Sequence, residues 1–221
     1  MDHYFTYMPK TFNMLKNKNI IFFYEDDKIL EYVNTIKKTD NFIAIKAKIS
    51  DLPTYDIIKY YVQSCKNQNT NYLKSIGNQK GVTHYERDFL ISGKASYRKL
   101  ITLWTSKVFL INDVISFDPY KTDCFAWVDV SISRLNINYV DSKVDKSKIN
   151  MPGSKNIYMG ERIFGSAGFM ISSKETWLKF IPIYARKMLE LKDSNYAHDE
   201  ETIIFNIYNE HPSLFKKLVG K

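Results

Sequence analysis

Asp129 closes the apolar run Phe125-Ala126-Trp127-Val128, and that position is the strongest chemical signal in the chain. A short apolar run reads as a buried strand, and strands of open α/β sheets present functional side chains at their carboxyl ends. A carboxylate there suits Mn²⁺ or Mg²⁺, which take hard oxygen ligands and share them with substrate phosphates. Ser131 stands where a second acid would complete an Asp-x-Asp pair. Alternation along a strand turns residues 129 and 131 to one face, so the hydroxyl could contribute through water. Asp123 lies before the run and is a second acid in the same cluster.

Two other acidic clusters compete with it. His198-Asp199-Glu200-Glu201 precedes a helical apolar pattern, where Asp199 fits an N-cap and the acids complement the helix dipole. The same residues could serve as a general base, or a contact, on an acceptor hydroxyl, with His198 completing a metal shell. Glu25-Asp26-Asp27 follows the run Ile20–Tyr24 and fits either ligand contact or helix capping. Lys107 falls on or beside the apolar stripe of a helix. It either lays its stem along apolar surface or reaches a phosphate or buried carboxylate. No Gly-Lys-Thr phosphate loop, Gly-x-Gly-x-x-Gly, nucleophile elbow or Cys/His zinc array is present.

The elements that must position these residues alternate early in the chain. Ile20–Tyr24 and Phe42–Ile45 read as strands, with a helix through Ile29, Leu30, Val33 and Ile36 between them. A further helix opens near Asp51-Leu52-Pro53. Residues 66–93 are polar, poorly periodic and read as a long functional connection. Tyr97–Asn112 is a helix with Leu100, Trp104, Val108 and Ile111 as its stripe. Residues 139–161 form a second irregular stretch. The segment 163–171 reads as a strand whose Gly165 and Gly168 admit a close backbone or ligand approach. Ser172 with Glu175 gives a capping-box pattern, and the helix carrying Trp177 should kink at Pro182. A last helix spans Glu200–Asn209. This order predicts an α/β fold, residues 1–221 forming one domain around a mostly parallel sheet.

The composition narrows the function classes. The 221 residues include 44% hydrophobic and 15% aromatic residues, enough for a sizeable core. The net charge is +8, but the lysines are scattered rather than blocked, which speaks against nucleic-acid binding. Two cysteines, Cys65 and Cys124, make no disulfide framework and suit a reducing compartment. The apolar runs are too short for a transmembrane segment, and Met1–Lys10 has no signal-peptide core. A soluble, cytoplasmic protein is expected.

Several segments together resemble the HtrL/WlaTC-like glycosyltransferase family. The resemblance is carried by Tyr97-Arg98-Lys99-Leu100 through Trp104, by Ser106-Lys107, and by Phe125-Ala126-Trp127-Val128-Asp129. It continues in Gly165-Ser166-Ala167-Gly168-Phe169-Met170, the Trp177 helix and Asp199-Glu200-Glu201; Phe23-Tyr24 with the Asp26-Asp27 helix matches more loosely. It implies a GT-A-like (Rossmann-like) sheet and transfer of a sugar from a nucleotide-diphosphate donor to a glycan or other hydroxyl acceptor. It further implies Mn²⁺ or Mg²⁺ held at Asp129, Ser131 and His198, and catalysis by Asp199 and Glu200. Lys107, Trp127, Gly165 and Gly168 would line the substrate. Two departures stand out: Ser131 replaces an expected small residue, and the usual first strand is missing, which would leave an exposed edge. The alternative is a catalytically degenerate member of the fold that binds a glycan or protein.

Overall fold

The computed structural model describes residues 2–64, 70–136, 138–192 and 198–219. The chain opens with helix α1 (Asp2–Met14), strand β1 (Ile20–Tyr24), helix α2 (Asp27–Ile36) and strand β2 (Phe42–Lys46). β1 and β2 pair in parallel from Ile20–Phe42 to Tyr24–Lys46. The Asp26 side chain caps α2 by accepting the Lys28 N–H at 3.0 Å. Met8 and Phe12 of α1, Ile20 and Phe22 of β1 and Val33 of α2 bury one another in a small apolar cluster.

Next come α3 (Tyr55–Ser64), α4 (Thr70–Ser75), α5 (Gln79–His84), a π-helical turn (Tyr85–Leu90) and the long α6 (Ile91–Phe117), with a break at Gly93. The second half contains β3 (Cys124–Val128), a 3₁₀ turn (Ile132–Leu135), β4 (Ile149–Pro152), β5 (Ile157–Tyr158), β6 (Glu161–Arg162) and β7 (Phe169–Ser173). It closes with α7 (Lys174–Glu190), α8 (Glu200–Glu210) and β8 (Phe215–Leu218). β3, β7, β4 and β8 form a sheet in that order; β5 and β6 form a hairpin. The main core joins α6, α7 and α8 to this sheet through residues such as Ile101, Val108, Phe125, Trp177 and Ile204.

The result is a mixed α/β fold, and it corrects the expectation of one mostly parallel sheet. β7 runs antiparallel to both β3 and β4, while β4 and β8 are parallel, and the β1–β2 pair forms a separate sheet among the described residues. The segment 163–171 is also shorter as a strand than its sequence predicts. The strand begins only at Phe169; before it Gly165 lies against Met151, and Ser166 donates its N–H to the Pro152 carbonyl. The polar stretch 66–93 is largely helical where described; Lys80 and His84 are buried against the distant Asp199, while Lys74, Glu86 and Arg87 stay exposed. Residues 139–161 hold β4 and part of the β5–β6 hairpin. Ser173, not Ser172, caps α7, and that helix runs through Pro182 to Glu190. The helical run Gln79–Phe117 is long and apolar enough by composition to cross a bilayer, but half of its apolar window is buried inside the protein. Cys124 is a free, half-buried thiol whose pKa is raised by burial; Cys65 lies outside the described residues.

Candidate active site

Helix α8 explains why its acidic start is not a solvated cap alone. Asp199 is the N-cap, accepting the Thr202 N–H at 2.9 Å. Yet Asp199, Glu200 and Glu201 are all buried. Consecutive helical positions point about 100° apart, so each acid meets different neighbours. Glu200 accepts Lys107 Nζ at 2.7 Å, and Lys107 also lies 3.0 Å from Asp129 Oδ1. Asp199 and Glu201 take Lys80 Nζ at 2.6 and 2.5 Å. Glu201 further accepts the Ala167 N–H and the Asn156 amide, each at 3.1 Å. His84 Nδ1 stands 3.6 Å from Asp199, with its ring against Trp104.

Lys107 comes from the middle of α6 and is 3% exposed. Its snorkelling alternative is therefore replaced by a buried pairing with two carboxylates. Asp129 follows the last residue of β3, and its own N–H binds the Gly168 carbonyl at 2.8 Å. The Trp127 indole N–H donates to Asp129 at 2.7 Å, and Lys107 lies 5.8 Å from the Trp127 ring. A β-carbon on Gly168 would stand 3.2 Å from the Asp129 carboxylate, so the glycine lets the β3 end and the loop before β7 close together. These groups line one cleft of about 1420 Å³.

The acids titrate apart. Burial pushes Glu200 up to about 7, with Asp199 and Glu201 adding to it and Lys107 opposing it. One Glu200 oxygen, Oε2, is buried without a hydrogen-bond partner. Burial opposes ionisation of Asp199 as well, but Lys80 outweighs it and holds that carboxyl well below its ordinary range. Lys107 and Lys80 are raised by their carboxylate partners despite burial. Burial lowers His84 to about 4. The cleft thus holds firm carboxylates, firm ammonium groups, a neutral imidazole and one carboxyl poised near neutrality.

Asp129, Ser131 and His198, expected to form a metal shell, each have other partners in the structure. The strand ends at Val128, so strand alternation does not govern residue 131; Ser131 sits at the start of the 3₁₀ turn, and its hydroxyl takes the Arg134 guanidinium. His198 is buried among Tyr61, Tyr158 and Thr202, and burial lowers its pKa to about 4. Asp129 is already engaged by a lysine and an indole. Among the described residues no group of three His, Cys, Asp or Glu side chains is arranged to hold a metal. Gly165 lies against Met151, where a β-carbon would clash at 2.5 Å, and it does not line the cleft. Asp123 is exposed at the opposite end of β3. Of the Glu25-Asp26-Asp27 group, Asp26 caps α2, Asp27 pairs with Lys46, and Glu25 accepts the Ile49 N–H. Lys80 and His84 were missed as site residues. The available signal was the acid surplus at 199–201, which cannot be buried without cations from elsewhere.

A family model described as "Bacterial protein of unknown function (HtrL_YibB)" matches residues 1–221. The chain belongs to this HtrL_YibB family. No curated protein and no solved structure matches it. Membership thus agrees with the HtrL part of the sequence resemblance and leaves the chemistry to be argued from the cleft.

Proposed function

We propose that the cleft transfers a sugar from a nucleotide-diphosphate donor to a hydroxyl acceptor, on a GT-A-like fold. The observation that carries this reading is Glu200, a buried carboxyl raised to about 7 with an unpartnered oxygen in a cleft floored by two lysines. A carboxyl poised near neutrality can take the acceptor's hydroxyl proton as that oxygen bonds to the sugar's anomeric carbon. The bond from that carbon to the diphosphate breaks, and the leaving group carries the electron pair away. Lys107 and Lys80 supply fixed positive charge beside it without reorganisation. Trp127 offers an aromatic face whose polar edge is pinned to Asp129, suited to a sugar or base. No step is routed through Mn²⁺ or Mg²⁺.

The test is thermal denaturation with UDP, GDP or CDP, each with and without Mn²⁺. A bound nucleotide at about 100 times its Kd stabilises by about 2.7 kcal/mol. The expected result is a rise in Tm with one nucleotide, lost in Asp129→Asn. No rise with any nucleotide in either condition overturns the reading and favours a glycan- or protein-binding module, which the full engagement of Asp129 would suit. Once a donor is found, Glu200→Gln is expected to lower turnover about 10²–10⁴-fold while nucleotide binding persists.

A further inference from the structure

Five lysine and arginine side chains line the cleft, and four of them are already matched by carboxylates. Lys18 stands 3.7 Å from Asp141, Lys80 between Asp199 and Glu201, Arg87 on Asp88, and Lys107 between Asp129 and Glu200. Arg134 is the fifth. Among the described residues it forms no ion pair, and its guanidinium makes one hydrogen bond, from Nη1 to the Ser131 hydroxyl. Deeper in the cleft two ammonium groups, Lys80 and Lys107, face four carboxyls, Asp129, Asp199, Glu200 and Glu201. That cluster carries no surplus of positive charge, whether Glu200 is protonated or not. The turn that bears Arg134 starts where β3 ends. The Asp129 carbonyl accepts the Ile132 N–H at 2.9 Å, and the Ser131 carbonyl accepts the Arg134 N–H at 3.0 Å. An i to i+3 bond brings residues 131 and 134 to one side of the turn, so the Ser131 oxygen, on a residue 1% exposed, meets the guanidinium. Ile132 is buried, and Ser133 donates to the Tyr7 carbonyl of α1 at 2.9 Å. Arg134 is therefore an exposed charge on a fixed base, one turn past Asp129.

We propose that Arg134 binds a diphosphate in the cleft, with Ser131 as its positioning residue; that the diphosphate belongs to a nucleotide donor rests on the sugar-transfer reading. A guanidinium presents its N–H donors in a planar fork, and with one of them held by Ser131 the others are free to take two phosphate oxygens at once. Ser131 fixes the fork before the ligand arrives and so reduces the ordering that binding would otherwise cost. Lys107 and Lys80 stay locked to their carboxylates, since turning either one toward a phosphate would uncover buried acids. Arg134 is the cation that the ligand's own charge can complete.

The test is calorimetric titration of the full chain with inorganic pyrophosphate, with UDP, GDP and CDP, and with the matching nucleosides. Arg134→Gln is expected to weaken pyrophosphate and the bound nucleotide diphosphate about 10–100-fold, and to leave the nucleoside's affinity unchanged. Ser131→Ala is expected to weaken both anions about 2–10-fold, and to add nothing in the Arg134→Gln background, which a merely structural role for Ser131 would not produce. Lys18→Gln, which removes the same charge from the same cleft, is expected to change neither affinity. Equal losses in Lys18→Gln and Arg134→Gln would mean a general field and overturn the site. Nucleotide binding unchanged in Arg134→Gln would overturn it too, and leave sugar transfer standing. Pyrophosphate binding that Arg134→Gln abolishes, with no nucleotide bound by the natural protein, upholds Arg134 as the diphosphate site and overturns the sugar-transfer reading. No binding of pyrophosphate or of any nucleotide overturns both.

Discussion

Glu200 couples the site to the stability of the protein. In the folded chain it ionises near pH 7, against an ordinary value of 4.5. Between those values the unfolded chain holds fewer protons than the folded one, so stability falls as pH rises through this window and the loss is complete above about 7. Glu200→Gln removes the effect. The variant is therefore expected to gain stability relative to the natural protein from pH 4.5 to 7, and to hold that gain above 7. Denaturant titrations across pH check it, and an opposite slope would defeat the assignment. Lys107→Met leaves Asp129 and Glu200 without their shared cation and should cost about 3–5 kcal/mol. Adding Glu200→Gln should recover part of that loss, because the two residues interact directly. Asp129, Glu200 and Lys107 were each legible as candidates, since a strand end, a helix start and a polar residue beside an apolar stripe are local patterns. Their meeting was not legible, because 93 positions separate Lys107 from Glu200. His198 illustrates the converse: metal-ligand chemistry is written in its type, but its neighbours Tyr61 and Tyr158 come from distant segments.

The short helix α5 shows how an element is held for a single side chain. The β5–β6 turn places Met159 and Gly160 at positive φ, the conformation of a two-residue hairpin. The Gly160 N–H binds the Gly77 carbonyl at 3.0 Å, and a β-carbon on Gly77 would stand 2.6 Å from that nitrogen. Asn78 then caps α5 by accepting the Gly81 N–H, and Lys80 emerges toward Asp199 and Glu201. Gly77→Ala combines the clash with positive φ and is expected to cost about 1–3 kcal/mol in urea unfolding. It should also loosen Lys80, read as faster exchange across residues 79–84. The β1, α2 and β2 elements were readable because two short apolar runs, the helical period between them and the acids before the helix agree with one another. The described residues 70–93 were not, because the placement of α5 comes from a hairpin and a helix start far along the chain. The glycines at 165 and 168 looked alike in sequence; packing against Met151 and against Asp129 is what separates them.

At the scale of the molecule the layers are uneven. β7 is paired on both sides within the larger sheet, whereas β1 and β2 form a lone pair on a smaller apolar cluster. Amides of β7 are expected to exchange at the global unfolding rate and those of β1 and β2 faster, through local opening; equal rates would mean that one core holds both sheets. The α/β class was legible from the alternation of elements. Strand direction was not, because the long connection between Asp129 and Phe169 permits return in either sense. The three tryptophans are distributed so that the protein carries its own optical probe. Trp104 and Trp127 line the cleft, while Trp177 is fully buried with its indole N–H on the Phe125 carbonyl. Emission that changes when the cleft fills must arise from the first two, with Trp177 as a constant background. Replacing Trp104 by phenylalanine would then leave fluorescence that follows, at Trp127, whether the indole still holds Asp129.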